Sequence, residues 1–229
     1  ELLFPLFAGH GEFPRVIFAP GTPEQAFFLT NKAFSLSEKY QIPVFILFDQ
    51  YLADTQWTFN GFDLKRLSVA DTRLRGDALK NQSMYKRHAL TDTGVSPLGI
   101  PGESAHLIVT DSDEHSEEGH IIEDAETRVR MVEKRLLKKI PLIKQEIASP
   151  VLYGNRSPEI VISGWGSTYG VLKEAVDVLS RDRNIAMLHF SEVYPFPSSE
   201  EYLSVFHNAK KTICIEHNAT GQFARLLKA

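Results

Sequence analysis

The sequence predicts an α/β fold in which parallel strands alternate with helices. Two observations support this prediction. Residues 1–56 hold two short apolar runs that flank a stretch of helical periodicity, and residues 151–229 repeat the same strand–turn–helix order. Parallel strands need a crossover connection, which is usually a helix, so the alternation favours open parallel sheets with right-handed crossovers.

The first unit is predicted to cover residues 1–56. Val16–Ala19 is an apolar run stopped by a Pro-Gly turn, which indicates a strand. Thr22-Pro23 is typical of a helix start, because a threonine hydroxyl caps the helix and proline suits its first position. Apolar residues then recur at helical spacing to about Lys39. The unbroken apolar run Val44–Phe48 predicts a strand covered by helices on both faces.

Residues 57–150 are predicted to form a mostly irregular connection. Periodicity fades from Trp57 to Glu103, and long irregular segments of this kind are usually functional or form interfaces. Leu107–Thr110 predicts a brief strand. Thr127–Ile140 predicts a basic amphipathic helix. Its apolar face comprises Val129, Val132, Leu136 and Ile140.

Residues 151–229 are predicted to form a second α/β unit. The strands expected from apolar runs are Ile160–Ser163, Ile185–Phe190 and Thr212–Glu216. The helices expected between and after them are Thr168–Leu179, Ser198–Phe206 with a serine cap, and a last one over Gly221–Lys228.

Composition excludes several classes of function. Of the 229 residues 24% are charged, and the net charge of −4 provides no basic excess for binding nucleic acid. The apolar runs are too short to cross a bilayer, and no signal peptide is visible, so we expect a cytoplasmic protein. The single cysteine, Cys214, lies in an apolar run that predicts a buried strand. One thiol cannot hold an iron–sulfur cluster, so any cluster must lie on another chain.

Ten short segments, taken in order, resemble one enzyme family. They are Gly9–Arg15, Ala19–Gly21, Phe48-Asp49, Thr93–Pro97, Pro101-Gly102, Thr110–His120, Lys134-Arg135, Trp165–Thr168, Tyr194–Pro197 and Glu216–Gln222. Together they resemble the C-terminal part of the alpha subunit of 2-oxoacid:ferredoxin (acceptor) oxidoreductases, the 2-oxoglutarate branch most of all. Leu98 stands where this family usually has arginine, and Tyr169 stands where lysine is common.

The resemblance implies an architecture and a reaction. Residues 1–56 would be the back half of a pyrimidine-binding thiamine domain, whose first half we expect upstream of Glu1. Residues 151–229 would form a domain like the C-terminal domain of transketolase. The family oxidatively decarboxylates a 2-oxoacid to acyl-CoA and carbon dioxide with thiamine diphosphate, and passes the electrons to ferredoxin. The pyrophosphate-binding domain, its magnesium and an iron–sulfur cluster would belong to a beta subunit or another chain, so this chain alone would be inactive.

The loop around His10 is the leading candidate for a catalytic site. Glycines on both sides of His10 let its backbone approach a ligand closely. A histidine that titrates near neutral pH can shuttle a proton or donate to a carboxylate. Gly11, Glu12 and Arg15 would lie near the substrate or cofactor. The alternative is a structural turn at a subunit interface, in which Glu12 and Arg15 pair with each other.

Two further segments are candidate contacts for a substrate or cofactor. Ser167 and Thr168 follow a strand and open a helix, a position that suits an anion or coenzyme A. A tight structural turn is the alternative, because the glycine spacing does not match a dinucleotide fingerprint. Asn218 follows a strand end, where ligands bind in open sheets, but it is also placed to cap the last helix. The stretch Asp111–His120 is interpreted as a solvated connection held by salt bridges rather than as a metal site.

Two other functions remain open from the sequence. One is a nucleotide-binding oxidoreductase domain formed by residues 151–229, in which Glu192 is the acidic residue nearest the end of the second strand. The other is a non-catalytic assembly module that holds a partner through Trp57–Glu103.

Overall fold

The computed structural model describes residues 1–69 and 71–229. The helices are α1 Leu3–Phe7, α2 Pro23–Tyr40, α3 Gln50–Asp54, α4 Gly76–Lys80, α5 Ala125–Glu133, α6 Lys139–Glu146, α7 Tyr169–Leu179, α8 Glu201–Asn208 and α9 Gln222–Lys228. The strands are β1 Val16–Phe18, β2 Val44–Ile46, β3 Arg73–Leu74, β4 Leu98–Gly99, β5 Val151–Gly154, β6 Ile160–Trp165, β7 Ile185–Phe190, β8 Glu192–Tyr194 and β9 Lys211–Cys214. In this part of the chain no helix is long and apolar enough to cross a membrane.

The first sheet contains strands from both predicted α/β units. Its strand order is β2-β1-β8, with β1 parallel to β2 and antiparallel to β8. A core cluster crosses the same junction, because Ile17 and Ala19 pack with Leu188, Phe190 and Phe223. The two predicted units therefore share a sheet and a core instead of lying apart. The boundaries proposed at residues 56 and 150 stay predictions.

Helix α2 forms for the reasons that the sequence suggests. The Thr22 hydroxyl accepts a hydrogen bond from the Gln25 amide at 3.1 Å, and Pro23 occupies the first position. The Gln25 side chain accepts from the Gly21 amide at 2.7 Å, so it closes the turn before the helix. The buried residues of the helix follow helical spacing. They are Leu29, Ala33, Leu36 and Tyr40.

Strand β2 is more exposed than its apolar sequence predicts. It lies at the edge of its sheet, its three residues are only half-buried, and Phe48 just beyond it is 67% exposed. Phe45 packs on one core cluster, and Val44 and Ile46 pack on another, so the strand is covered on both faces, as predicted, but only in part. Three aromatic side chains in neighbouring helices are exposed as well: Phe4 and Phe7 of α1, and Tyr51 of α3. This end of the first sheet therefore carries uncovered aromatic side chains.

The second sheet has the order β5-β7-β6-β9. Strand β6 is parallel to both β7 and β9, as the repeated strand–helix order predicts. Strand β5 was not predicted and pairs antiparallel with β7 at the sheet edge, an arrangement common in otherwise parallel sheets. Helix α8 begins at Glu201 rather than Ser198, and the Ser199 hydroxyl accepts from the Glu201 amide at 3.2 Å.

The predicted amphipathic helix is longer and buries another face. Helices α5 and α6 are joined by a π-helical turn over Lys134–Lys138, so the helical run extends from Ala125 to Glu146. Pro141 explains the wide turn, because proline lacks an N–H and its ring clashes with the carbonyl four residues earlier. Val129, which was predicted to lie on the apolar face, is 55% exposed. The buried residues are Met131, Lys134, Lys139 and Ile143.

The strand predicted at Leu107–Thr110 does not form. This stretch is extended without a strand partner, and its Val109 carbonyl lies against Gly119. A β-carbon added at Gly119 would be 2.0 Å from that oxygen.

Gly21 provides a test of how closely the two sheets pack. A β-carbon at this position would be 2.5 Å from the Tyr169 β-carbon and 2.7 Å from the Gly166 carbonyl oxygen. We expect Gly21→Ala to lower the free energy of unfolding by about 2 kcal/mol, because neither neighbour can move cheaply. Gly170→Ala is the matched control, since an added β-carbon there meets nothing within 4 Å and the site is helical. Denaturant titration of both variants measures the difference, and equal stability would contradict this account.

Candidate functional site

A cleft of about 610 Å³ opens where the two sheets meet. Residues just beyond the carboxyl ends of β2, β6 and β9 line it, the position at which open α/β sheets bind ligands. Aromatic side chains form much of its wall, among them Phe4, Phe48 and Trp165. Its polar side chains are few and close together, which is typical of a site for a small organic molecule.

Asp49 connects the two sides of this cleft. One carboxylate oxygen caps α3 by accepting from the Leu52 amide at 3.0 Å. The other accepts a short hydrogen bond from the Ser167 hydroxyl and lies 3.4 Å from Nδ1 of His217. Burial acts to raise the pKa of Asp49, but the hydrogen bonds from Ser167, Leu52 and His217 together hold it below its ordinary value of 3.8. A carboxylate is therefore fixed at the centre of the cleft.

The turn over Gly166–Thr168 presents Ser167 to the cleft. It is a short 3₁₀ segment between β6 and α7, and the Thr168 hydroxyl donates to the Trp165 carbonyl at 2.7 Å. From the core side, Nε2 of His189 is hydrogen-bonded to the Gly166 carbonyl at 2.8 Å. The turn is thus held from below while Ser167 reaches across to Asp49.

Asn218 both lines the cleft and caps α9. Its side-chain oxygen accepts from the Gln222 amide at 3.1 Å, as the capping interpretation predicts. The stronger cap is Glu216, which accepts from the Phe223 and Ala224 amides at 2.9 and 3.0 Å. Burial acts to raise the pKa of Glu216, but these amides and the Asn218 side chain hold it below its ordinary value. Sequence reasoning missed this cap, although a glutamate between a strand and the start of a helix is a signal for it, because negative charge is favourable at a helix N-terminus.

The His10 loop does not line this cleft. His10 is exposed, and Gly9 and Gly11 have φ values of +110° and +71°, as the flanking glycines predict. Arg15 is buried and donates to the Pro5 and Ala8 carbonyls at 2.8 and 2.6 Å. Its guanidinium therefore ties the loop to α1.

The predicted ion pair between Glu12 and Arg15 is wrong. Glu12 lies 3.1 Å from Arg128 on α5 instead, and Arg15 is occupied by backbone carbonyls. Because the Pro5 and Ala8 carbonyls accept from the buried guanidinium, its hydrogen-bonding capacity is used without Glu12. The loop is consequently connected to both α1 and α5.

The acidic stretch Asp111–His120 is held by ion pairs, as predicted. Both oxygens of Glu114 accept from Arg135, at 2.8 and 2.6 Å. Glu117 accepts from the Lys86 side chain at 3.0 Å and from the Leu90 amide at 2.8 Å. The carboxylates of Glu114 and Glu117 thus anchor the stretch to neighbouring segments.

The geometry of the cleft disfavours a dinucleotide phosphate at Ser167. The hydroxyl already donates to the Asp49 carboxylate, whose charge repels a phosphate. Glu192 is also unsuited to bind a ribose, because it is buried and both of its oxygens lie 2.8 Å from the Lys32 ammonium. The residues expected to support a nucleotide are therefore engaged elsewhere.

The role of Asp49 leads to a prediction about pH. Its pKa is lower in the folded chain, so its contribution to stability is present above about pH 4 and is lost as the pH falls through the folded-state value. We expect Asp49→Ala to cost about 1 kcal/mol at pH 7, mainly through loss of the helix cap, and less below pH 4. Asp54→Ala, at the other end of α3, is the control and should have little effect. A cost that does not change with pH in urea titrations would contradict the prediction.

These features define an α/β protein whose ligand site lies where two joined sheets end. A family model described as pyruvate flavodoxin/ferredoxin oxidoreductase, thiamine diphosphate-binding, matches residues 2–134. The chain belongs to this family, which confirms the predicted family and fold class. The match continues well past residue 56 and includes residues 57–134 of the predicted connection.

Individual relatives resemble the chain over its whole length. The alpha subunit of 2-oxoacid:ferredoxin oxidoreductase 1 from Sulfurisphaera tokodaii is 34% identical over 100% of this chain and 36% of its own length. The alpha subunit of enzyme 2 from Aeropyrum pernix is 35% identical with the same coverage. The chain thus spans about a third of the length of these relatives.

A solved structure shares the fold. It is the 2-oxoglutarate:ferredoxin oxidoreductase from Magnetococcus marinus, with 2-oxoglutarate, coenzyme A and succinyl-CoA bound. The TM-score is 0.84 at 26% identity, over 96% of this chain and 38% of that one.

Proposed function

We propose that this chain is part of the alpha subunit of a 2-oxoacid:ferredoxin oxidoreductase. The enzyme would convert a 2-oxoacid to acyl-CoA and carbon dioxide and pass the electrons to ferredoxin in the cytoplasm. The observation that carries the proposal is the similarity of the whole of this chain to about a third of each of two such alpha subunits. 2-Oxoglutarate is the favoured substrate, because the Magnetococcus marinus enzyme of similar fold is named for it.

The proposed cofactors are thiamine diphosphate with magnesium, coenzyme A as co-substrate, and an iron–sulfur cluster. Thiamine diphosphate supplies the decarboxylation chemistry when it is bound. Cys214 is the single cysteine of this sequence, and one thiol cannot hold a cluster. Glu114 and Glu117 of the acidic stretch are engaged by arginine and lysine, so these two carboxylates do not suit magnesium either. We therefore assign the cluster and the magnesium–pyrophosphate site to a beta subunit or another chain.

The residues of this chain would orient the substrates and exclude water. His10 would donate to the substrate carboxylate or move a proton, and Gly11, Glu12 and Arg15 would hold its loop in place. Ser167, Thr168 and Asn218 would contact the 2-oxoacid or coenzyme A. Because the carboxylate of Asp49 lies on Ser167, an uncharged part of the ligand fits beside it better than a phosphate.

The test uses the complete alpha subunit assembled with its beta subunit. A panel of 2-oxoacids is offered with coenzyme A and a viologen dye, and dye reduction is measured. We expect reduction that requires both a 2-oxoacid and coenzyme A, with the highest kcat/KM for 2-oxoglutarate. Activity with pyruvate or branched-chain oxoacids alone would overturn the substrate assignment. Absence of activity with every 2-oxoacid, together with tight binding of a dinucleotide, would overturn the proposed function itself.

A further inference from the structure

His189 is a fully buried polar residue that the proposed function does not use. It lies near the end of β7, and Nε2 is 2.8 Å from the Gly166 carbonyl oxygen. Its other nitrogen, Nδ1, has no hydrogen-bond partner among the described residues. Histidine is an expensive choice for such a core position, because a buried unpaired nitrogen costs free energy that an apolar side chain of similar size would not. The single hydrogen bond that it makes therefore calls for an explanation.

The hydrogen bond fixes the protonation state of the ring. A carbonyl oxygen only accepts, so Nε2 must carry the proton and donate it, which leaves Nδ1 as the bare nitrogen. Burial lowers the pKa of His189 to about 4, so the ring is neutral at physiological pH. The edge of Tyr169 packs against the ring at 5.0 Å between centroids, and Gly21 lies close to its Cε1 atom. The ring is thus neutral and held in place, and it donates one hydrogen bond, to the Gly166 carbonyl.

That donor acts on the turn that carries Ser167. The Gly166 carbonyl belongs to the same turn whose next residue donates to Asp49. Asp49 comes from the first sheet, and His189 comes from the second. Within the turn, the Tyr169 amide donates to the Gly166 carbonyl, and the Thr168 hydroxyl donates to the Trp165 carbonyl. Two further hydrogen bonds tie the turn to its surroundings, one from the core below it and one across the cleft. Removing the bond from His189 would take away the tie to the core and let Ser167 and Thr168 move relative to the cleft.

We propose that His189 is a positioning residue, which holds the Gly166–Thr168 turn so that Ser167 and Thr168 meet the ligand in the cleft. The inference rests on the proposed function for the identity of that ligand. It does not require His189 to touch the ligand. It predicts that a replacement that still donates from the Nε2 position preserves the site, and that an apolar replacement does not.

The kinetic test compares His189→Leu with His189→Gln in the complete alpha–beta complex. The amide nitrogen of glutamine can occupy the place of Nε2, whereas leucine fills the space without donating. For the leucine variant we expect KM for the 2-oxoacid or for coenzyme A to rise about tenfold, the scale of one lost hydrogen bond, with kcat per folded complex little changed. The glutamine variant should recover most of this loss. A purely structural role would reduce the folded fraction and leave both KM values as in the wild type, and that result would overturn the proposal.

A second measurement does not depend on catalysis. Ser167→Ala removes the hydrogen bond to Asp49, and its cost in unfolding free energy is measured in the wild-type and His189→Leu backgrounds of the full alpha subunit. If His189 places the turn, Ser167→Ala should cost clearly less in the leucine background, because the bond to Asp49 is already weakened there. Equal costs in the two backgrounds would overturn the proposal. The proposed function is tested separately. It fails if the wild-type complex oxidises no 2-oxoacid, even when Ser167→Ala costs less in the leucine background.

Discussion

Replacing His10 with alanine in the assembled complex is expected to lower the rate of 2-oxoacid decarboxylation by about 10²-fold, the scale for a group that acts in acid–base catalysis. Because the loop that carries His10 does not line the cleft of this chain, such a role requires the loop to face a site that a partner subunit completes. The His10 side chain is exposed, and its backbone is flanked by two glycines in the left-handed region. Arg15 fixes the base of the loop through two backbone carbonyls, so the histidine is presented on a supported turn.

The same structure predicts that the variant folds normally. An exposed loop histidine contributes little to the core, so the unfolding free energy of His10→Ala should stay within about 0.5 kcal/mol of the wild type. His120→Ala is the matched control, because His120 is also exposed on a loop but lies in the acidic stretch. The rate and KM are measured across pH 6–8 for both variants. Wild-type turnover by His10→Ala over that range would assign the loop a structural role only.

Local signals were enough to predict much of the fold. Thr22-Pro23 predicted the start of α2 to the residue, because a capping hydroxyl and a proline act through their immediate neighbours. The strands β6 and β7 with α7 between them followed from apolar runs and helical spacing in the same way. In each of these elements the interactions that decide the structure lie within a few residues of one another.

The features that the sequence analysis missed have two kinds of cause, one non-local and one local. Strand β8 has three residues, and it is a strand because β1 lies beside it, although about 175 residues separate them in the sequence. The π-helical turn at Lys134–Lys138 depends on Pro141, whose effect appears several residues before the proline itself. Patterns of apolar residues carry neither kind of information.

Sequence reasoning named Ser167, Thr168 and Asn218 of the candidate site but not Asp49. Asp49 and Ser167 each follow a strand end, and both lie in segments that resemble the family. Their hydrogen bond spans 118 residues and depends on how the two sheets meet. Strand ends were the available signal, since parallel strands bring their carboxyl ends to one edge. What was missing was the shared sheet, without which Asp49 had no partner.

Gly119→Ala is expected to cause the largest loss of stability among the glycine variants, about 4 kcal/mol. Two effects add at this position. Its φ of +96° is unfavourable for any residue with a β-carbon, and that carbon would lie 2.0 Å from the Val109 carbonyl oxygen. Because the obstacle is backbone, the two segments must separate, and the hydrogen bonds around Gly119 must break with them.

Gly102→Ala separates these two effects. Gly102 has a similar φ of +85°, but a β-carbon there meets nothing within 4 Å, so only the conformational cost of about 1 kcal/mol remains. Denaturant titration gives the two costs, and hydrogen exchange locates the damage. We expect faster exchange at the Ser116 and Ile122 amides in Gly119→Ala alone. These two amides donate to the His120 and Glu114 carbonyls of the acidic stretch, close to Gly119. If both alanine variants lose the same stability, the close approach of Val109 contributes nothing, and the acidic loop is held by its ion pairs with Arg135 and Lys86 instead.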